Sequence, residues 1–513
     1  MSVARNPHEA SPKRQMLRGS IWAVSLRWSV RLTGLISTVI LARLLTPADF
    51  GLVTIASLII GVIEVFSQSG PYAALTRLPN PTREHYDSAW TIALLLGVGA
   101  SLITWAIIPF TTAYFHEPRA AAVVGVLALR TMILGSVNIG VVNFRRELQF
   151  DKQFRYNLYP TLISFTATMC AAFTLRNYWA LVIGIVTQHL STTILSYIMD
   201  PFRPRICFTK VREIWSFSAW VLLRNVGEFA SNQIDKFAIG GFAGAAGMGR
   251  YYVAQDVATS PTMELVLPMT TVLLPVMAKV QDDKVARKEL YLTVLHWSAL
   301  ICFSTSVGVA LVAPDMASVV LGPQWTDVAV LMPWFALTWG MWGVSGTASA
   351  ALDTIGKPRI STYLQWLNVA VLGFSIFVVA HFQREILAIA IVRLVVTVAF
   401  MPIMFLALSR ALEISIKDFV LTIWRPAFAG LVMAIAVLAL NAQIPFTGPV
   451  RLILDIALGG AVYIGSAMLL WAYVGRPEGP EADAHRYVRG MFRLPASPSQ
   501  PAVVAPLRSP EDH

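Results

Sequence analysis

Two arginines four residues apart, Arg27 and Arg31, sit inside an otherwise apolar stretch, GSIWAVSLRWSVRLTGLISTVILARLLTPADFG (19–51). Guanidinium groups hold phosphate and carboxylate through paired, directional hydrogen bonds. Residues four apart share one helical face. An arginine in the middle of a membrane helix costs roughly 2.5–3.5 kcal/mol on insertion scales, so that face must point at water or at an anionic partner. The helix expected here carries no acid of its own. The partner is then Glu228, Glu64, a lipid phosphate or a substrate. Arg130, Arg224 and Arg393 also fall inside apolar runs and extend the basic set. Around a common cavity the five would favour a multiply charged anion. The competing arrangement is scattered ion pairs with Glu64, Asp256, Glu264 and Asp455.

A second constellation lies in WSFSAWVLLRNVGEFASNQIDKFAIGG (215–241). Arg224, Glu228 and Asn232 are spaced by four, and Asp235 lies seven beyond Glu228, so all share one face. Arg224 and Glu228 either pair with each other or face a ligand. Glu228, Asp235, Asp256 and Glu264 are the candidates for coupling to a proton or cation, or for gating. Asn225, Asn232, Trp339 and Trp342 are candidates for contact with sugar; tryptophans of this kind equally serve as packing anchors. Pro261, Pro268 and Pro275, spaced by seven, lie near one face of a helix that they bend, either as plain structure or as a hinge.

Enzymatic signatures are missing. There is no P-loop pattern, and HEPRA (116–120) lacks the second histidine of a zinc protease helix. The three cysteines, Cys170, Cys207 and Cys302, form neither a CxxC nor a Cys/His cluster, so neither a metal site nor a cofactor is expected.

The elements that must carry these residues are membrane helices. Of 513 residues 56% are hydrophobic and only 13% charged, where a soluble chain carries about 25% charged. Apolar runs of spanning length predict an all-α polytopic membrane protein with about fourteen helices: 19–43, 51–70, 88–108, 120–142, 158–174, 178–199, 215–240, 250–277, 291–313, 328–351, 361–380, 385–408, 420–440 and 452–474. Twelve is the alternative. The net charge of +11 reads as topology rather than nucleic-acid binding. Most basic residues fall in loops that alternate to one side, which places both termini in the cytoplasm.

The chain also repeats. Ile21-Trp22-Ala23 matches Ala219-Trp220-Val221, and Gly51 and Ala56 match Gly249 and Ala254, all at an offset of 198 residues. FDKQFR (150–155) is likewise similar to IGKPRI (355–360). The repeat predicts a cytoplasmic segment 1–18, a first six-helix bundle 19–199, a second 215–408, two additional helices within 420–474, and a disordered cytoplasmic tail 475–513. A parallel repeat of this kind is common among transporters.

WxxxxR in the first helix leads into ILARLLTPADFGLVTIASLI (40–59), FSQSGPYAALTR (66–77) and HYDSAWTIALLLG (85–97), with LDTIGKPR (352–359) later. This run resembles the polysaccharide transporter family, the Wzx-type flippases of bacterial exopolysaccharide and O-antigen pathways, and most nearly its colanic-acid and succinoglycan exporters. That family belongs with the lipid II flippases and the multidrug and toxin extruders. The resemblance implies two bundles facing across a cationic lumen. It also implies movement of an undecaprenyl-pyrophosphate-linked oligosaccharide across the bacterial inner membrane by alternating access, driven by an H+ or Na+ gradient. By helix and depth it lends Arg27, Arg31 and Arg224 a role in holding the pyrophosphate. Expected partners are the lipid-linked oligosaccharide, membrane lipids, and a polymerase and glycosyltransferases of the pathway. A cation antiporter of the extruder branch is the alternative, and it would want an acidic cavity. A membrane glycosyltransferase is disfavoured by the short outer loops.

Overall fold

The computed structural model describes residues 12–68, 72, 75, 76, 78, 80–147, 149–215, 218–279, 283–443 and 448–492. They are helical almost throughout, and no strand occurs among them. In hydrocarbon every backbone N–H and C=O must be satisfied within its own segment, which a helix achieves. The order is α1 (Pro12–Leu44), α2 (Pro47–Gln68), α3 (Arg83–Ala106), α4 (Ile108–Phe115), α5 (Ala120–Gly135), α6 (Val142–Arg146), α7 (Phe150–Leu175), α8 (Trp179–Met199) and α9 (Val211–Trp215). Then follow α10 (Ser218–Lys279), α11 (Lys284–Met316), α12 (Met332–Thr354), α13 (Pro358–Phe382), α14 (Ile386–Leu412), α15 (Ile416–Gln443), α16 (Pro449–Tyr473) and α17 (Pro480–Phe492).

Nine of these helices are long and apolar enough to cross a bilayer, or eleven if the bent pairs Ala120–Gly135 with Ile139–Arg146 and Pro323–Val330 with Met332–Thr354 each count as one span. Fourteen is not reached on that measure. Neither α1 nor α10 meets it, and these are the helices that carry Arg27, Arg31, Arg224, Asp235 and Lys236.

The helix α10 replaces two expected helices and the loop between them. Its 62 residues break at Gly244, where φ is 63° and ψ −171°. A straight helix of that length would run roughly 93 Å, three times a hydrocarbon core of about 30 Å. Gly244 supplies a dihedral closed to side-chain-bearing residues, so the chain turns there without a loop. Two further differences lie at the ends. The first helix begins at Pro12, inside the expected segment 1–18, whose residues 1–11 are outside the described residues. In the expected disordered tail, Pro480–Phe492 is helical.

LLTPADFG opens α2 with a reciprocal cap. Thr46 N donates to Asp49 Oδ2 at 2.9 Å, and Asp49 N donates to Thr46 Oγ1 at 3.4 Å. Proline at the first helical position costs no hydrogen bond. The cap sets α2 against the second arm of α10, and the two cross at glycines. A Cβ on Gly51 would stand 1.6 Å from the Ala245 carbonyl oxygen, and one on Gly249 would stand 1.8 Å from that of Pro47. Pro47 and Ala245 are related by the same 198-residue offset as Gly51 and Gly249. The contact is thus reciprocal, as a two-fold relation between repeats requires.

The same offset recurs nearby. Trp325 is fully buried and its Nε1 donates to the Ala42 carbonyl at 2.7 Å. Phe115 packs its ring over Gly240, 198 residues on from Ala42, and Tyr114 donates to the Phe237 carbonyl at 3.1 Å. Each repeat therefore seats an aromatic side chain on the end of the other's first helix.

The connector between the repeats is stitched to α3. Arg205 N donates to Asp87 Oδ1 (2.9 Å), Cys207 N to Thr91 Oγ1 (2.9 Å) and Lys210 N to Ser88 Oγ (3.2 Å).

Candidate functional site

The five arginines singled out from the sequence fall into three places. The first joins α1 to the second arm of α10. Arg27 Nε donates to Glu264 Oε2 at 2.8 Å, and Arg31 Nε stands 3.7 Å from Glu264 Oε1. The partner of this pair is thus Glu264, neither Glu228 nor Glu64. Two guanidinium groups share this carboxylate, and Asp256 lies within electrostatic reach of Arg31 and of Lys236, so the cluster sets three cations against two carboxylates. Arg27 is 32% exposed and Glu264 21%, so neither side chain is enclosed by protein. Arg31 Nη2 has no hydrogen-bond partner among the described residues. Asp256 is half-buried two turns before Glu264 on the same arm.

The second place is a cavity of about 330 Å³ between α10, α12, α13 and α14. It gathers Arg224, Glu228, Asn232, Trp339, Trp342 and Arg393, all singled out from the sequence. Arg224 pairs with Asp353 of α12 (2.7 Å), not with Glu228 one turn away. Ser361 donates to the other oxygen of Asp353 at 2.6 Å. Arg393 is buried and ion-paired with Asp235. Tyr251 donates to Asp235 at 2.5 Å, and Arg393 Nη2 donates to the Ser231 carbonyl at 3.2 Å. Asp235 and Arg393 thus form one enclosed network that ties both arms of α10 to α14. The Trp339 and Trp342 rings lie 5.2 Å apart. Asn225 is half-buried and does not line the cavity.

The third place is a cavity of about 480 Å³ in the first repeat, lined by Glu64, Arg130, Tyr72, Tyr156 and His189 among others. Arg130 Nη2 donates to Glu64 Oε2 at 2.6 Å. Arg130 therefore faces neither the Arg27 cluster nor the second cavity.

Of the prolines, Pro261 is exposed on α10 and the helix runs through it; Gly244 marks the non-helical break. Pro268 and Pro275 fall in the same arm, and their side chains lie outside the described residues. Asp455 is held by Arg451 (3.7 Å) and Asn441 (3.2 Å). No cluster of three or more His, Cys, Asp or Glu able to hold a metal ion occurs among the described residues.

Three groups carry no sequence signal. Asp353 neutralises Arg224 from 129 residues away. Tyr251 closes the Asp235 network. Glu481 of α17, buried, meets His296 (3.1 Å) and Arg425 (3.3 Å). Burial pushes the Glu481 carboxyl up, but His296 and Arg425 outweigh it and hold it below its ordinary value.

Comparison with known proteins agrees with this architecture. The chain is 20% identical to the lipopolysaccharide biosynthesis protein WzxC of Escherichia coli (strain K12), over 82% of this chain and 86% of that one. It is 21% identical to the succinoglycan biosynthesis transport protein ExoT of Rhizobium meliloti (strain 1021), over 83% and 87%. Its fold is that of the lipid II flippase MurJ in an inward closed conformation, with a TM-score of 0.72 at 12% identity over 89% of this chain and 99% of that one. The family model described as "Polysaccharide biosynthesis protein" matches residues 40–330, more than half of the chain, and the protein belongs to that family.

Proposed function

We propose that the protein is a flippase. It carries a lipid-linked oligosaccharide from the cytoplasmic to the outer leaflet of a bacterial inner membrane, for export of a surface polysaccharide. The observation that carries this reading is the cluster of Arg27, Arg31 and Lys236 against Glu264 and Asp256, a surplus of positive charge that the protein does not enclose. A diphosphate and several sugar hydroxyls cannot cross hydrocarbon unaided. The transporter needs only to shelter that headgroup, while the lipid tail stays in the bilayer. The names of the related WzxC, ExoT and MurJ proteins support the same reading.

The arginines hold Glu264 while no substrate is present. A diphosphate offers more charge and more acceptor oxygens than one carboxylate. It takes Arg27 and Arg31 from Glu264 and so uncouples α1 from α10. The released Glu264 is then free to take a proton or a sodium ion, which is the coupling step in this scheme. The basic loops put both termini in the cytoplasm, where glycosyltransferases deliver the substrate; a polymerase receives it outside.

The test is flipping in proteoliposomes. Purified protein is reconstituted with undecaprenyl-pyrophosphate oligosaccharide, and arrival of the sugar is followed with a membrane-impermeant modifying reagent. Arg27→Ala and Arg31→Ala are expected to insert normally and lose most transport. Glu264→Gln is expected to bind substrate more tightly and to lose its dependence on the ion gradient. Full transport by both arginine variants refutes the site. Uptake of a cationic dye with no movement of any lipid-linked sugar would instead support an extruder.

A further inference from the structure

The cavity between α10, α12, α13 and α14 differs from the Arg27 cluster in its charge. Arg224 is neutralised by Asp353, and Arg393 is neutralised behind the wall by Asp235. Glu228 remains, exposed on the lining. No surplus positive charge is left to draw a phosphate. The uncharged lining consists of aromatic rings and of amide and hydroxyl groups, among them Asn232, Gln365, Asn368 and Ser345. Trp342 is 39% exposed beside Trp339. The Trp339 indole N–H is buried without a hydrogen-bond partner among the described residues. A buried donor of that kind is costly unless something fills its need, and a sugar oxygen is a suitable acceptor. The volume, about 330 Å³, lies within the roughly 300–1000 Å³ of small-molecule sites.

The cavity also adjoins the cluster. Val266 and Leu267, which line it, follow Glu264 by two and three residues on α10, about 3–5 Å along the helix. One turn of α10 therefore presents Glu264 to the arginines of α1 and its next residues to the cavity. In a glycosylated lipid diphosphate the first sugar is bonded directly to the phosphate. We propose that this cavity is the glycan-reading subsite. It takes uncharged sugar residues nearest the diphosphate and stacks them on Trp339 and Trp342, and Trp339 Nε1 donates a hydrogen bond to a sugar oxygen. Discrimination between repeat units then lies at the reducing end of the glycan, in the second repeat of the chain.

This inference rests on the flippase reading, and one experiment separates the two. Proteoliposomes are loaded with undecaprenyl diphosphate, bare or carrying one neutral hexose, and the rates of the two lipids are compared within each variant. In the wild type the glycosylated lipid is expected to be preferred. Trp339→Ala and Trp342→Ala are each expected to reduce that preference on the order of tenfold, through KM of the glycosylated lipid. Trp339→Phe, which keeps an aromatic face and loses the indole donor, should fall in between, and it controls for misfolding. A preference unchanged in both alanine variants overturns the subsite while leaving the flippase in place. So does an equal loss for both lipids that Trp339→Phe does not relieve. If the wild type moves neither lipid, the flippase reading fails and the subsite falls with it.

Discussion

The glycine crossing of α2 and α10 permits a quantitative test of the internal two-fold relation. In Gly249→Ala the new Cβ would lie 1.8 Å from the Pro47 carbonyl oxygen and 2.8 Å from Gly51 N. Both are backbone atoms, so no rotamer change relieves the clash. The helices must part by about 1.2 Å before the shorter contact reaches even 3.0 Å. Overpacking of this kind costs about 1–3 kcal/mol, and a backbone clash belongs at the upper end. Gly51→Ala, 1.6 Å from the Ala245 oxygen, should cost the same, because the contact is reciprocal. The double variant is the sharper probe. Once one Cβ has separated the helices, the second enters space already opened. The double variant should then cost well under the sum, with a coupling of about 1–2 kcal/mol. Unfolding free energies in mixed micelles for the wild type, both single variants and the double variant give the cycle. Costs that add within about 0.5 kcal/mol would refute the reciprocal crossing, as would single variants that are neutral.

Two further outcomes follow from the charge pairs. Arg393→Ala leaves Asp235, itself fully buried, with Tyr251 and the Lys236 backbone N–H but without its ion-pair partner. Breaking a buried pair from one side costs about 3–5 kcal/mol, which the same micelle unfolding measures. Replacing both partners, Asp235→Leu with Arg393→Met, should recover most of that loss. At the other end of the chain, the Glu481 carboxyl is held below its usual value of 4.5 by His296 and Arg425, against the effect of burial. A carboxyl with a lowered folded-state pKa stabilises above its unfolded value and loses that contribution as pH falls through the folded one. Protection of the Pro480–Phe492 amides from hydrogen exchange, taken relative to the intrinsic rate at each pH, should accordingly be high at pH 6 and fall below about pH 4.5; in Glu481→Gln it should be low at both.

The Arg27–Arg31 face was legible because a helix with two arginines and no acid cannot be satisfied by itself. The identity of Glu264 was not legible. It lies 237 residues away, and no local pattern distinguishes it from Glu228 or Glu64. Arg224, Glu228 and Asn232 of the 215–241 face line one cavity because helical spacing puts them on one side, whereas Asp235, expected on the same face, is buried behind its wall. Even so, Arg224 took Asp353 over its helical neighbour Glu228, since pairing follows the tertiary approach of α12. The repeat was visible at Gly51 and Gly249 as a matched spacing. That these two glycines touch each other depends on the two-fold arrangement, which sequence spacing does not contain. The expected loop near residue 244 failed for a local reason. A single glycine with positive φ turns the chain without polar linker residues, so hydropathy shows a boundary but not its form.

Burial decides which of these arginines can serve a transport cycle. Arg393 and Asp235 have side chains 6% and 0% exposed. Separating them would strand two charges in a medium that solvates neither, at a cost of several kcal/mol per ion. That pair therefore fixes α10 to α14 throughout the cycle. Arg27 and Glu264, at 32% and 21%, are not enclosed, so in the proposed scheme an incoming anion can reach the arginines and replace the carboxylate. In that scheme the same guanidinium chemistry is a structural bolt in one place and an exchangeable clasp in the other. A flippase of this design needs both: one set of pairs that keeps each bundle rigid, and one set that only the headgroup can open.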